Sequence, residues 1–77
     1  MTLTVVLEKT LNNWGAYSPD LEDSIVATGE TREETLSNFR DALLDLFDYK
    51  REQGQSYPDV TELEICERIP LAPAFAS

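Results

Sequence analysis

The sequence predicts a small α+β domain of order β-β-β-α-β, with one helix packed on one face of a four-stranded sheet. Three observations point there. Apolar residues alternate near the N-terminus and again near residues 60–69, a long segment between them carries apolar residues at three- and four-residue steps, and proline, asparagine or glycine stands at the junctions. A chain of 77 residues is one domain, expected over residues 1–70, with 71–77 as an extended C-terminal tail rich in proline and small residues.

The first strand is "TLTVVLEK", with Leu3, Val5 and Leu7 on one face and Thr2, Thr4 and Glu8 on the other, Val6 interrupting the polar face. Asn12 and Asn13 mark a hairpin turn, because asparagine tolerates positive φ better than most residues. The second strand is expected over Trp14–Ser18 and ends at Pro19, which cannot donate to a ladder. After the turn "PDLED", the β-branched "SIVAT" supplies a third strand, which Gly29 breaks. Trp14 and Tyr17 fall on opposite sheet faces.

"TREE" then reads as a capping box: Thr31 accepts from the Glu34 N–H while the Glu34 side chain reaches back to Thr31. Leu36, Phe39, Leu43, Leu46 and Phe47 share an apolar helix face, with Leu44 at its margin. Gly54 is placed to end the helix, with Lys50 and Arg51 in the last turn facing the negative end of the dipole. A helix of about 22 residues is roughly 33 Å long, so it overhangs strands of about 23 Å. The fourth strand, "VTELEICERI", returns parallel to the first after a right-handed crossover, with Leu63, Ile65 and Ile69 on the face shared by Thr61 and Glu67. One helix covers one face, so the other face or an edge strand is where a second copy would dock.

Composition excludes several chemistries. Fifteen acidic residues against six basic give a formal charge of −9, which repels phosphate backbones and attracts a basic partner. With no histidine the serines lack the usual base, and Gly15, Gly29 and Gly54 are too far apart for a phosphate loop. The single cysteine, Cys66, is read as a buried small residue in a strand; it forms no intrachain disulfide and no zinc cluster. Neither a leader peptide nor a membrane-length apolar run is evident, so a soluble cytoplasmic protein without cofactor is expected.

Two acidic groups remain as candidates for partner binding. Asp20, Glu22 and Asp23 cluster in the turn before the third strand, and Asp41, Asp45 and Asp48 follow one another at steps of four and three along one helix face. Both are ordinary solvated surfaces on general grounds, and both are landing sites for a basic protein. The alternative use of the turn, together with Glu8, is as carboxylate ligands for a metal-dependent nuclease, which needs convergence on two ions.

The succession "NNWGAYSPDL", "VATGETREE" and "NFRDALLDLF" resembles the HicB antitoxin family. The resemblance spans residues 2–60 and rests on Ala16, Tyr17, Pro19, Asp20, Leu21, Ala27, Gly29, Thr31, Glu33, Glu34, Asn38 and Arg40. It implies a partial ribonuclease H-like unit that pairs with a small basic HicA toxin, an mRNA interferase, and masks its active site. Members of the family usually add a C-terminal DNA-binding domain, for which this chain has no room, so it is expected to be a small member without one. The family's turn, Leu-Pro-Gly-Cys, is replaced here by Leu21-Glu22-Asp23-Ser24-Ile25, one residue longer and without proline or glycine. The leading expectation is thus a non-enzymatic, antitoxin-like module binding a HicA-like toxin, itself a homo-oligomer with a dimer first, and contacting neither nucleic acid nor membrane. A stand-alone regulatory or structural homo-oligomer is the second reading, and a degenerate magnesium-dependent nuclease the third.

Overall fold

In the computed structural model, which describes residues 1–69, the expected order is realised as β1 (Thr2–Lys9), β2 (Trp14–Tyr17), β3 (Val26–Gly29), α1 (Arg32–Glu52) and β4 (Glu62–Arg68). The tail expected over 71–77 lies outside the described residues. The sheet is mixed, in the order β3-β2-β1-β4, with β1 antiparallel to β2 and parallel to β4, so the crossover through α1 carries the chain past β2 and β1 to the far edge.

Period-two alternation decides what β1 buries. Leu3, Val5 and Leu7 are fully buried on the helix side, where Leu7 lies opposite Ala16 and Ala16 opposite Ala27. These small alanines let α1 approach closely and seat Phe39 and Leu43 against the sheet. Leu63 and Ile65, in register with Leu3 and Val5, extend the core but stay half-buried. On the opposite face Val26, Tyr17, Val6 and Cys66 stand side by side across all the strands. Cys66 is therefore exposed, against the expectation of a buried thiol, because β4 presents alternate residues to a face that no element among the described residues covers.

The hairpin turn differs from expectation. No residue other than glycine has positive φ among the described residues. Thr10 clamps the loop instead: its N–H and hydroxyl both donate to the Asn13 carbonyl, at 2.8 and 2.9 Å, and its hydroxyl oxygen accepts from the Asn13 N–H. Trp14 belongs to the core side, packed against the buried cluster with the Lys9 ammonium 5.6 Å from its ring centroid.

The helix begins as its cap dictates, with the Glu34 N–H donating to Thr31 Oγ1 at 3.0 Å. The Glu34 carboxylate, however, accepts from the Glu30 N–H at 3.2 Å rather than reaching back to Thr31. The corner between β3 and α1 is so tight that a Cβ on Gly29 would lie 2.6 Å from Thr35 Oγ1 and 2.9 Å from Thr35 N, and this corner brings the Glu30 N–H to the first turn. Thr35 is fully buried on the helix's inner face, its hydroxyl donating to the Thr31 carbonyl at 2.8 Å. At the other end Gly54 adopts φ 69°, its N–H donating to the Arg51 carbonyl and that of Gln55 to the Lys50 carbonyl, a Schellman closure. Leu44 is more than half exposed, on the outer side of the apolar stripe. Beyond the helix, Tyr57 stacks on Phe47 with centroids 5.1 Å apart and returns the chain to β4.

Candidate functional site

The acidic corner is built from its apolar residues outward. β2 and β3 are only four residues each, shorter than the helix above them, and residues 18–25 fill the space under the helix's last turns. Leu21 and Ile25 pack against the core, leaving the polar residues between them at the rim. Asp20 completes the sheet where β2 has stopped: its carboxylate accepts the Thr4 N–H at 2.9 Å, taking the place of a strand carbonyl. The Ser18 hydroxyl accepts from the Asp20 N–H and holds that geometry. Asp23 pairs with Lys50 at 2.8 Å, fastening the corner to the end of the helix. Glu22 alone of the three is exposed with neither an ion pair nor a hydrogen bond to its carboxylate among the described residues.

The helix stripe is of another kind. Asp41, Asp45 and Asp48 are exposed and point away from the sheet, as do Glu34 and Glu52, which fall on the same line at heptad-like spacing. Arg51 pairs with Asp48 at 2.7 Å, a surface contact of small energetic weight; Asp41 and Asp45 have no ion pair among the described residues. Lys50 lies on the sheet-ward side of α1, so the corner it holds and the outward stripe are two separate surfaces. The sequence placed all six carboxylates in one candidate set; the fold spends two of them, Asp20 and Asp23, on its own corner.

Sequence spacing did not reveal two further polar links. Arg32, in the first turn of α1, is hydrogen-bonded to Glu67 on β4, and this contact together with the carboxylate's charge holds the guanidinium's pKa above its ordinary value. Asn38 donates from Nδ2 to the Thr28 carbonyl at 2.9 Å, tying α1 to the outer edge of β3. The first joins residues 35 apart that only the crossover brings together, and the second joins consecutive elements across the tight β3–α1 corner.

Glu8 lies on the uncovered sheet face and pairs with Arg68 at 3.2 Å, apart from the acidic corner. Among the described residues no three histidine, cysteine, aspartate or glutamate side chains gather as metal ligands, so the convergence that two-ion hydrolysis needs is missing from the turn. No helix there is long and apolar enough to cross a membrane. Comparison with protein-family models, curated proteins and solved structures finds no match to this chain.

Proposed function

We propose that this chain is an antitoxin-type binding module that neutralises a small basic HicA-type mRNA interferase, with the outward face of α1 as its landing surface. The observation that carries the reading is the row Asp41, Asp45 and Asp48: exposed, in line, and among the described residues paired only at Asp48, with Arg51. A field of one sign steers a basic protein and holds it in register more than it supplies raw affinity. The resemblance to the HicB family supports the same reading, and the β-β-β-α-β order agrees with the partial ribonuclease H-like unit it implies. Glu22 is the corner residue free to join such a contact, whereas Asp20 and Asp23 support it from within the fold.

Titration with a small basic HicA-type protein encoded beside this chain, at low and physiological salt, tests the proposal. The expected result is tight binding that weakens with salt and suppresses RNA cleavage, and that the triple substitution D41N/D45N/D48N weakens at least tenfold without loss of helicity. Binding that ignores both salt and the triple substitution overturns the role of the stripe; absence of binding overturns the antitoxin reading.

A further inference from the structure

The helix leaves one edge of the sheet bare. α1 leads directly out of β3, packs over β3 and β2, and is tied to the β3 edge by Asn38. β4, at the opposite edge, has no strand paired to its outer side among the described residues. Its helix-side residues Leu63 and Ile65 face Leu36 and Arg40 across a shallow groove, and Ile69, at the same edge, is 62% exposed. An unpaired edge of seven residues flanked by apolar side chains is a template for another strand.

We infer that this edge pairs with a second copy of the chain, β4 antiparallel to the partner's β4 about a two-fold axis at Cys66, making a continuous eight-stranded sheet with both helices on one side. The register follows from the side chains. With Cys66 opposite its counterpart, Leu63 faces Ile69 of the partner subunit on the helix side, and Glu64 faces Arg68 of the partner subunit on the open side, each pair occurring twice. Arg68, already 3.2 Å from Glu8 in its own chain, then lies between two carboxylates of opposite subunits. Moving the axis to Ile65 sets Leu63 against a glutamate and strands Ile69. Moving it to Glu64 or Glu67 sets like charges directly opposite each other, which destabilises a strand pair. The Cys66 register pairs Leu63 with Ile69 and Glu64 with Arg68 and has one mismatch, Ile65 against Glu67 of the partner subunit, where the Ile65 register has two, and a two-fold interface of this kind is closed and self-complementary. The inference is independent of toxin binding, since the edge and the acidic stripe are different surfaces.

The register makes a covalent test available. Directly opposed residues of an antiparallel pair have Cα atoms about 4.5–5.5 Å apart, inside the span of roughly 4.4–6.8 Å that a disulfide bridges. The full chain is first weighed by sedimentation equilibrium in reductant, then treated with diamide, which takes up the two electrons and two protons released as the thiols join. The expected result is a concentration-dependent dimer that diamide converts to a reducible dimer of twice the chain mass, lost in C66S. In the C66S background, L63C/I69C cross-links between chains and neither single cysteine does, because those residues meet only across this axis and on the helix side. R68E weakens the reduced dimer about tenfold, by setting like charges opposite at two places, and E64R/R68E restores it. A chain that stays monomeric at millimolar concentration overturns the inference. So does a dimer in which L63C/I69C fails to cross-link, which would place the contact on the open sheet face instead.

Discussion

The two edges of the sheet are treated differently by the same helix. At β3 the chain turns into α1 within two residues, Gly29 lies against the helix backbone, and Asn38 reaches down to the Thr28 carbonyl. At β4 the helix makes its link through the Arg32–Glu67 ion pair, and Leu63 and Ile65 stay half-covered. The difference follows from connectivity. A two-residue link fixes where the helix must start, whereas the connection of residues 53–61 back to β4 sets no such limit on the far side. A short loop thus determines which edge the helix holds down and which it leaves half-covered.

The largest effect separates the two sides of the core. Phe39→Ala empties a fully buried position over β2 and β3 and is expected to cost about 3–5 kcal/mol, whereas Ile65→Ala on β4, half-exposed in the single chain, costs well under half as much. Chemical denaturation of both variants at one low protein concentration checks the ratio, and equal losses would mean that β4 is covered as fully as β3. Next comes the corner itself. Gly29→Ala brings a methyl against Thr35 and its backbone, with an expected loss of about 1–3 kcal/mol read from the same denaturation curves.

A smaller change, about 1 kcal/mol, is expected for Asp20→Ala, which strips the Thr4 N–H of its acceptor. Hydrogen exchange at the Thr4 amide should accelerate specifically, and an unchanged rate would show that the carboxylate is not its acceptor in solution. The smallest effect belongs to the open edge. Glu67→Gln removes a partly exposed partner of Arg32, and its loss of stability should fade as salt is added. The raised pKa of Arg32 means that the guanidinium favours the folded state wherever it is charged, and that this contribution declines only as pH climbs past the arginine range. No pH dependence from this group is therefore expected between pH 5 and 9.

Much of this was legible residue by residue. The alternation of Leu3, Val5 and Leu7, the Thr31 cap and the Gly54 stop are local signals, and local physics is enough to read them. What escaped depends on neighbours distant in the chain. Cys66 looked like core because a strand cysteine usually is, yet no layer among the described residues covers its face. Asp20 and Asp23 looked like free charges because their partners, Thr4 and Lys50, are 16 and 27 positions away, on β1 and α1. Thr35 lies outside the apolar stripe read from the sequence, and its burial is comprehensible only with the Thr31 carbonyl above it. The acidic stripe on α1 was visible from spacing alone; that it faces away from the acidic corner was not.

The parallel pairing of β1 with β4 also has a consequence for synthesis. Thr2 lies beside Glu62 and Glu8 beside Arg68, so β1 waits for a strand made 60 residues after it. On the ribosome the meander and its helix emerge first, and β1 remains an edge until β4 has followed them out. During that interval the vacancy beside β1 has the shape of β4, and two nascent chains held close on one message could exchange their fourth strands before each had closed on itself.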